Sequence, residues 1–286
     1  MALPVSGPIS FDAVNAEIGM AYLSVITLND AKVRATFAKP TQGTIIQLSD
    51  GFGKSWVFNM TLSALDGYSL NLRSMALAKG WDGFRPVVCT VNFPLYGNTT
   101  SSPALTVNGS FPNGVNLINL SSITGYGGSG GGHGGIGING GTGGVAIAVS
   151  TPLMITNSSG TIGGGGGGGG KGGSGDYYDW SGGGGGGASY APGGAGNNGG
   201  GGAGLGAEGS PGTLTAGGAG GNGSYYNYGN DRYGWPGGAG GSLGQPGSGG
   251  PGWFGGAGSG GAAGAAITGN SNITWLSTGI RLGAII

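Results

Sequence analysis

Four groups of residues are of types that could do chemistry. Asp176 and Asp179 stand three apart in "GDYYDW", with Glu208 and Asp231 further along. Asp176 with Asp179, or one of them with Glu208 or Asp231, could form the pair that flanks a sugar in glycoside hydrolysis. Asp176 and Asp179, however, bracket an aromatic turn, where Asp is common for turn geometry alone. His133, in "GGGHGGIG", is the single histidine. A Ser-His-Asp or Cys-His site would have to use it, and no nucleophile or orienting carboxylate lies nearby in sequence. Gly53-Lys54-Ser55 in "DGFGKSW" invites a phosphate-loop reading, but the motif needs a glycine where this chain has Leu48. The single Cys89 in "PVVCTVNF" excludes an internal disulfide framework and a Cys-rich zinc site, and reads as a small buried hydrophobe. These residues give no catalytic set, metal site or cofactor site.

A different chemistry, that of contact, is much better represented. Tyr177, Tyr178, Trp180, Tyr190, Tyr225, Tyr226, Tyr228, Tyr233, Trp235, Trp253 and Phe254 interrupt glycine-rich sequence. Tyr and Trp supply large contact area at low entropic cost, while Asn and Ser adapt their hydrogen bonds. "SYYNYGNDRYGWP", which adds Arg232, has the composition of an antibody-like contact loop. The bland alternative is that these rings pack over glycine segments and shield backbone, and a mixture of the two roles is expected.

Composition narrows the partners. Ten basic and ten acidic side chains leave a net charge of zero, and a nucleic-acid site needs a basic face. Lys and Arg are scattered, with no polybasic run for anionic lipid. No apolar stretch approaches the roughly 20 residues of a membrane helix. "MALPVSGPIS" lacks the basic start and apolar core of a signal peptide, so synthesis in a cytoplasm is expected.

The elements that must position the aromatics fall into regions. Glycine is uneven: 11 of 78 lie in residues 1–124 and the rest beyond, which puts a boundary near Gly125. Within 1–55, "SGPISFDAVNAEIG" predicts a short helix capped by Ser10 or Asp12 and stopped by Gly19; "ITLNDAKVRATF" predicts another, starting at Asn29 or Asp30. Residues 56–124 read as strands in "WVFNMTLSAL", "PVVCTVNFPLY" and "VNLINLSSI", with a helix in "LNLRSMALAKGW" ended by Gly80. "GVNLINLSSITG" (114–125), "TPLMITNSSGTIG" (151–163) and "SNITWLSTGIRLG" (271–283) share one form: an apolar run, a Ser/Asn turn, an Ile, then Gly. The last two bracket most of the glycine-rich sequence, so both its ends are expected to be pinned into one β framework.

For residues 125–266, collagen is excluded because glycine does not recur every third residue and the whole chain has only 13 prolines. A disordered linker is the usual meaning of such composition. The competing reading is a packed bundle of polyproline-II-type glycine helices, with three residues per turn and outward-facing backbone groups. Only seven Asp, Glu, Lys or Arg occur in residues 125–286, and eleven aromatics fall within residues 177–254. A solvated linker has no need of that pattern.

Residues 68–135 add a resemblance. Asn71-Leu72-Arg73, Gly80-Trp81-Asp82-Gly83, Thr99-Thr100-Ser101-Ser102-Pro103-Ala104-Leu105 and Phe111-Pro112-Asn113-Gly114-Val115, with the glycine blocks and "GAAGAAITGNSNITW", resemble the adhesin that caps the long tail fibre of T-even-type bacteriophages. The resemblance covers about three quarters of the chain. It implies a β-rich attachment region with one or two short helices, then a sandwich of polyglycine-II helices whose distal loops bind a receptor on the bacterial surface. Inserts 176–181, 188–192, 224–236 and 251–254 would be such loops. Residues 1–55 depart from the family pattern: they lack its tryptophan- and glycine-rich start and look like a short module of phage structural and tail proteins.

The expected organisation is therefore a virion-attachment segment (1–55), a β-rich linking domain (56–124), a glycine-rich receptor-binding domain (125–266) and a closing strand (267–286). The leading reading is a non-enzymatic phage adhesin on the virion, at a tail-fibre tip. It would meet a host outer-membrane protein or lipopolysaccharide with its aromatic inserts, and a tail-fibre or tail-tip protein with its N-terminal region, as a monomer on a trimeric fibre or as a homotrimer. A structural glycine-rich spacer and a polysaccharide-degrading tail enzyme are the alternatives.

Overall fold

The structure is a computed structural model. It describes residues 2–3, 9–21, 26–28, 30–39, 50, 55–132, 139–173, 181–189, 207–223, 225–227, 231–252 and 256–286, with 225–227 and 231–233 as backbone only.

Near the N-terminus lie α1 (Phe11–Glu17) and α2 (Ala31–Thr36). The Ser10 hydroxyl accepts the Ala13 N–H at 3.0 Å and starts α1; Gly19, at φ +72°, stops it. Leu3, Ile9, Val14, Ile18, Val33, Phe37 and Trp56 form a small core of their own. Trp56 meets Phe84 edge-on at 5.6 Å and so ties this module to the rest.

Strands follow in a repeating order. They are β1 (Phe58–Leu62), β2 (Leu70–Asn71), β3 (Val87–Val91), β4 (Leu95–Tyr96), β5 (Leu105–Val107), β6 (Val115–Asn119), β7 (Ser122–Thr124), β8 (Ile147–Val149), β9 (Leu153–Thr156) and β10 (Thr161–Gly163). After the glycine-rich sequence, which holds β11 (Tyr225–Asn227) and β12 (Asp231–Tyr233), come β13 (Ile267–Thr268), β14 (Ile273–Ser277) and β15 (Ile280–Leu282). A third helix, α3 (Leu72–Ala78), is capped by Asn71 and followed by Gly80 at φ +95°. Three short α-helices thus stand among the described residues, against the one or two expected, and the other regular elements are mostly strands.

The sheets are parallel and stack as β1-β3-β6-β9-β14, β4-β7-β10-β15 and β2-β5-β8-β13. Each circuit of the chain adds one strand to each sheet, which makes a three-sided parallel solenoid. The sequence repeat is this geometry: Leu117 pairs with Ile155 and Ile155 with Trp275, while Ile123 pairs with Ile162 and Ile162 with Arg281. Residues 86–97 supply a further copy, with Cys89 beside Leu117 and Leu95 beside Ile123. Alternate residues point inward: Val87, Cys89 and Val91 are buried, as are Leu105, Val107, Ile147 and Val149. Each such side chain contributes about 1.5–3 kcal/mol.

One corner is polar. Asn119 donates to the Asn157 side-chain oxygen at 2.8 Å, and Asn157 donates to the Thr278 carbonyl at 2.8 Å. Both asparagines are fully buried, so the ladder satisfies backbone at successive turns. At the last turn Arg281 lies over the Trp275 ring at 4.9 Å, covering the end of the apolar stack with a charge.

Burial pushes the Cys89 thiol up to about 12 from its ordinary 9.0. Above pH 9 the unfolded chain releases this proton while the folded chain keeps it, so stability falls as pH rises from 9 toward 12. A thiol reagent at neutral pH is expected to modify Cys89 no faster than the protein unfolds globally; rapid labelling of the native protein would contradict this burial.

Candidate functional site

The glycine-rich sequence leaves the solenoid at one corner only. The connections β4–β5 (97–104), β7–β8 (125–146) and β10–β13 (164–266) lengthen in order, and all join the same two sheets. Both ends of the long excursion are held in strands, as the bracketing repeats lead one to expect.

Backbone bonds continue the ladder outward at three-residue intervals. Gly125, Gly128 and Gly131 N–H donate to the carbonyls of Gly163, Gly166 and Gly169. Segment 163–173 lies in the middle: 125–131, 139–146, 181–189, 235–243, 245–252 and 256–266 all bond to it, six segments on every side. A Cβ at Gly165 would overlap the Tyr126 carbonyl, at Gly167 that of Gly261, at Gly168 that of Ser129 and at Gly169 that of Gly238. From Gly164 to Gly170 no position has room for a side chain, which accounts for the uninterrupted glycine run there. Outer segments carry a side chain at every third position, such as Ala216, Ala219 and Asn222, or Pro236, Ala239 and Ser242.

The aromatic inserts depart from described residues that can be located. Trp235 is half-buried; its N–H donates to the Gly173 carbonyl at 3.2 Å and its carbonyl accepts from Gly182 at 2.9 Å. Gly173 N–H donates to the Pro251 carbonyl at 2.9 Å. The flanks of 174–180, 224–234 and 253–255 therefore meet at the end of the glycine body away from the sheets. The backbones of Tyr225–Asn227 and Asp231–Tyr233 pair antiparallel, Tyr225 opposite Tyr233 and Tyr226 opposite Arg232. Tyr190 follows Ser189, whose hydroxyl donates to the Gly125 carbonyl at 3.3 Å, at the opposite, sheet-side end.

Tyr177, Tyr178, Trp180, Tyr190, Tyr228, Trp253, Phe254, His133, Lys54, Asp176 and Asp179 lie outside the described residues, as do the side chains of Tyr225, Tyr226, Asp231, Arg232 and Tyr233. Glu208 is exposed and Lys171 is buried in the central segment. Among the described residues no three His, Cys, Asp or Glu are grouped to hold a metal. No helix among them is long and apolar enough to cross a membrane. Sequence reading finds the inserts but misses the convergence of Gly173, Trp235 and Pro251, which depends on how the segments pair.

The described residues thus form a stacked β frame that carries a close-packed glycine body, with the flanks of three aromatic inserts brought together at its outer end. The chain belongs to the phage tail fibre adhesin Gp38 family, whose model matches residues 58–286. It is accordingly a receptor-binding tail-fibre protein and not an enzyme. The matched span begins after the N-terminal module, in keeping with that module's departure from the family pattern. Among solved structures, the gp37-gp38 adhesin tip complex of the bacteriophage S16 long tail fibre is similar, with 26% identity and a TM-score of 0.56 over 99% of this chain and 100% of that one. No curated protein matches the chain.

Proposed function

We propose that this adhesin sits at the fibre tip and reads the host surface through the aromatic inserts at the outer end of its glycine body. The observation that carries the reading is that Gly173 bonds both Trp235 and Pro251, which brings the described flanks of three inserts together. Tyr177, Tyr178, Trp180, Tyr225, Tyr226, Tyr228, Arg232, Tyr233, Trp235, Trp253 and Phe254 make the contact surface; Tyr190 belongs to the sheet-side end. The glycine segments are polyglycine-II helices. The three-residue bonding interval and the six segments around 163–173 support this. At about 3.1 Å per residue, segment 163–173 then spans roughly 30 Å. Residues 1–55 dock on a tail-fibre tip protein, 56–124 link, 125–266 bind and 267–286 close the frame; the separate core of the N-terminal module supports the first boundary. The receptor is an outer-membrane protein or lipopolysaccharide.

Replacing residues 225–235 by a Ser/Gly segment is expected to cut adsorption of the purified protein to host envelopes at least about 100-fold, the weight of two hot-spot side chains, with unchanged thermal unfolding. Unchanged adsorption would overturn the assignment. Separate protein and lipopolysaccharide fractions identify the receptor class.

A further inference from the structure

The solenoid carries a second aromatic surface, far in sequence from the inserts. Tyr68, in the turn before β2, stacks on Tyr96 of β4 with ring centroids 4.6 Å apart and planes 29° off parallel. Tyr68 is 53% exposed. Beneath the pair the core is closed by Leu70, Leu95 and Leu105, all buried, so the core does not need these rings.

The pair is held at a conformational cost. Ser69 has φ +48°, one of two described non-glycine residues in the left-handed region. Its N–H donates to the Tyr96 carbonyl at 3.3 Å, its hydroxyl donates to the Asn98 side-chain oxygen at 2.8 Å, and it accepts the Asn98 N–H at 3.1 Å. These bonds clip two turns of successive coils together and fix one ring on the other. An outlier that the surroundings hold in place, at an exposed turn, is a reason to look for a function.

The surroundings indicate the ligand. Asn98, Thr99, Thr100 and Ser101, which follow Tyr96 closely in sequence, are exposed, and Asp66, two residues before Tyr68, is neutralised by Lys79 at 2.9 Å. An exposed aromatic face rimmed by uncharged hydroxyl and amide groups suits a ligand with an apolar C–H face and many hydroxyls. It carries no positive charge that would favour a phosphate or a carboxylate. We propose that Tyr68 and its rim form an accessory site for neutral hexose units of surface polysaccharide, distinct from the insert surface and independent of its assignment. The sugar's C–H face lies on the outer face of Tyr68, and the amide and hydroxyls of Asn98, Thr99 and Ser101 reach its hydroxyl groups.

The test uses the full chain carrying the Ser/Gly replacement of 225–235, which removes the largest insert, and reads the solenoid site from the difference that Tyr68 substitutions make in this background. Saturation-transfer NMR is recorded with two probes, a neutral gluco-oligosaccharide and the delipidated polysaccharide of host lipopolysaccharide. Saturation of hexose C–H protons is expected in the parent, with affinity reduced about tenfold in Tyr68→Ala and kept in Tyr68→Phe, which retains the stacking face. Thermal unfolding of each variant checks the fold. Equal saturation in Tyr68→Ala and parent, or no saturation with either probe, would overturn the site. So would a Tyr68→Ala variant that binds sugar normally but no longer co-purifies with the tail fibre, because the face would then be a protein-docking surface.

Discussion

Gly168→Ala is expected to disrupt the glycine body, while Ala219→Ser and Ala239→Ser leave it intact. The three positions differ by a single small group, and only their place in the packing separates them. Gly168 N–H donates to the Gly141 carbonyl at 2.8 Å and its carbonyl accepts from Gly261 at 2.7 Å, while the space a methyl would fill holds the Ser129 carbonyl. A methyl there must push a neighbouring backbone away and strand its hydrogen bonds. Overpacking costs about 1–3 kcal/mol, and each buried backbone group left unpaired adds about 1–3 kcal/mol. A loss of about 3 kcal/mol or more lowers Tm by roughly 6–12 °C in a chain of this size. Ala219 and Ala239 are exposed, and their replacements are expected to shift Tm by no more than about 2 °C. Amide exchange across 163–173 gives the same contrast residue by residue. A Gly168→Ala protein with native protection there would show that the segments are not packed backbone to backbone.

Excising 164–266 and bridging the gap with the short connection of residues 97–104 is expected to leave the solenoid folded and to remove tight adsorption to the host, leaving at most the weak polysaccharide binding proposed for Tyr68. The three connections at this corner join equivalent strands, so the short one is geometrically adequate for the turn that now carries the long one. The stacked core of Leu117, Ile155 and Ile162 is contributed by the frame itself. Strand signal in circular dichroism and continued protection of Cys89 check the fold. Unfolding would mean that the frame depends on the glycine body, and adsorption as tight as the parent's would place the receptor contact outside 164–266.

The sequence carries much of this, though unevenly. The Ser10 cap and the Gly19 and Gly80 stops are local signals and act where they stand; Asp30 occupies the N-cap position of α2 without a side-chain cap bond, and the Asn71 cap of α3 is seen only in the structure. The three-copy repeat marks real coils because each copy supplies the same two rungs. The copy at 86–97 escapes notice because Val91 and Asn92 stand where the later copies carry the buried Asn119 and Asn157 region, and Leu95 replaces Ile. Parallel pairing itself is not visible in an alternating pattern, since the same alternation serves antiparallel strands. In the glycine-rich sequence the informative signal is the difference between uninterrupted runs and runs broken at every third residue. The first marks a segment enclosed on all sides and the second a segment with one open face. Which inserts share an end could not be read, because it depends on the direction of each segment and hence on pairings between residues far apart in sequence.

The bonding around residues 163–173 also has a mechanical consequence. A virion tethered to a moving cell pulls on its tip, and a force applied at the outer end of the glycine body leaves it through the two strands at 161–163 and 267–268. Those exits lie along the segments, while the hydrogen bonds that join the segments run across them. The load therefore meets many transverse bonds at once, in shear, instead of opening them one after another like a zip. Because the bonds radiate to neighbours in several directions, resistance does not depend on the side from which the cell drags.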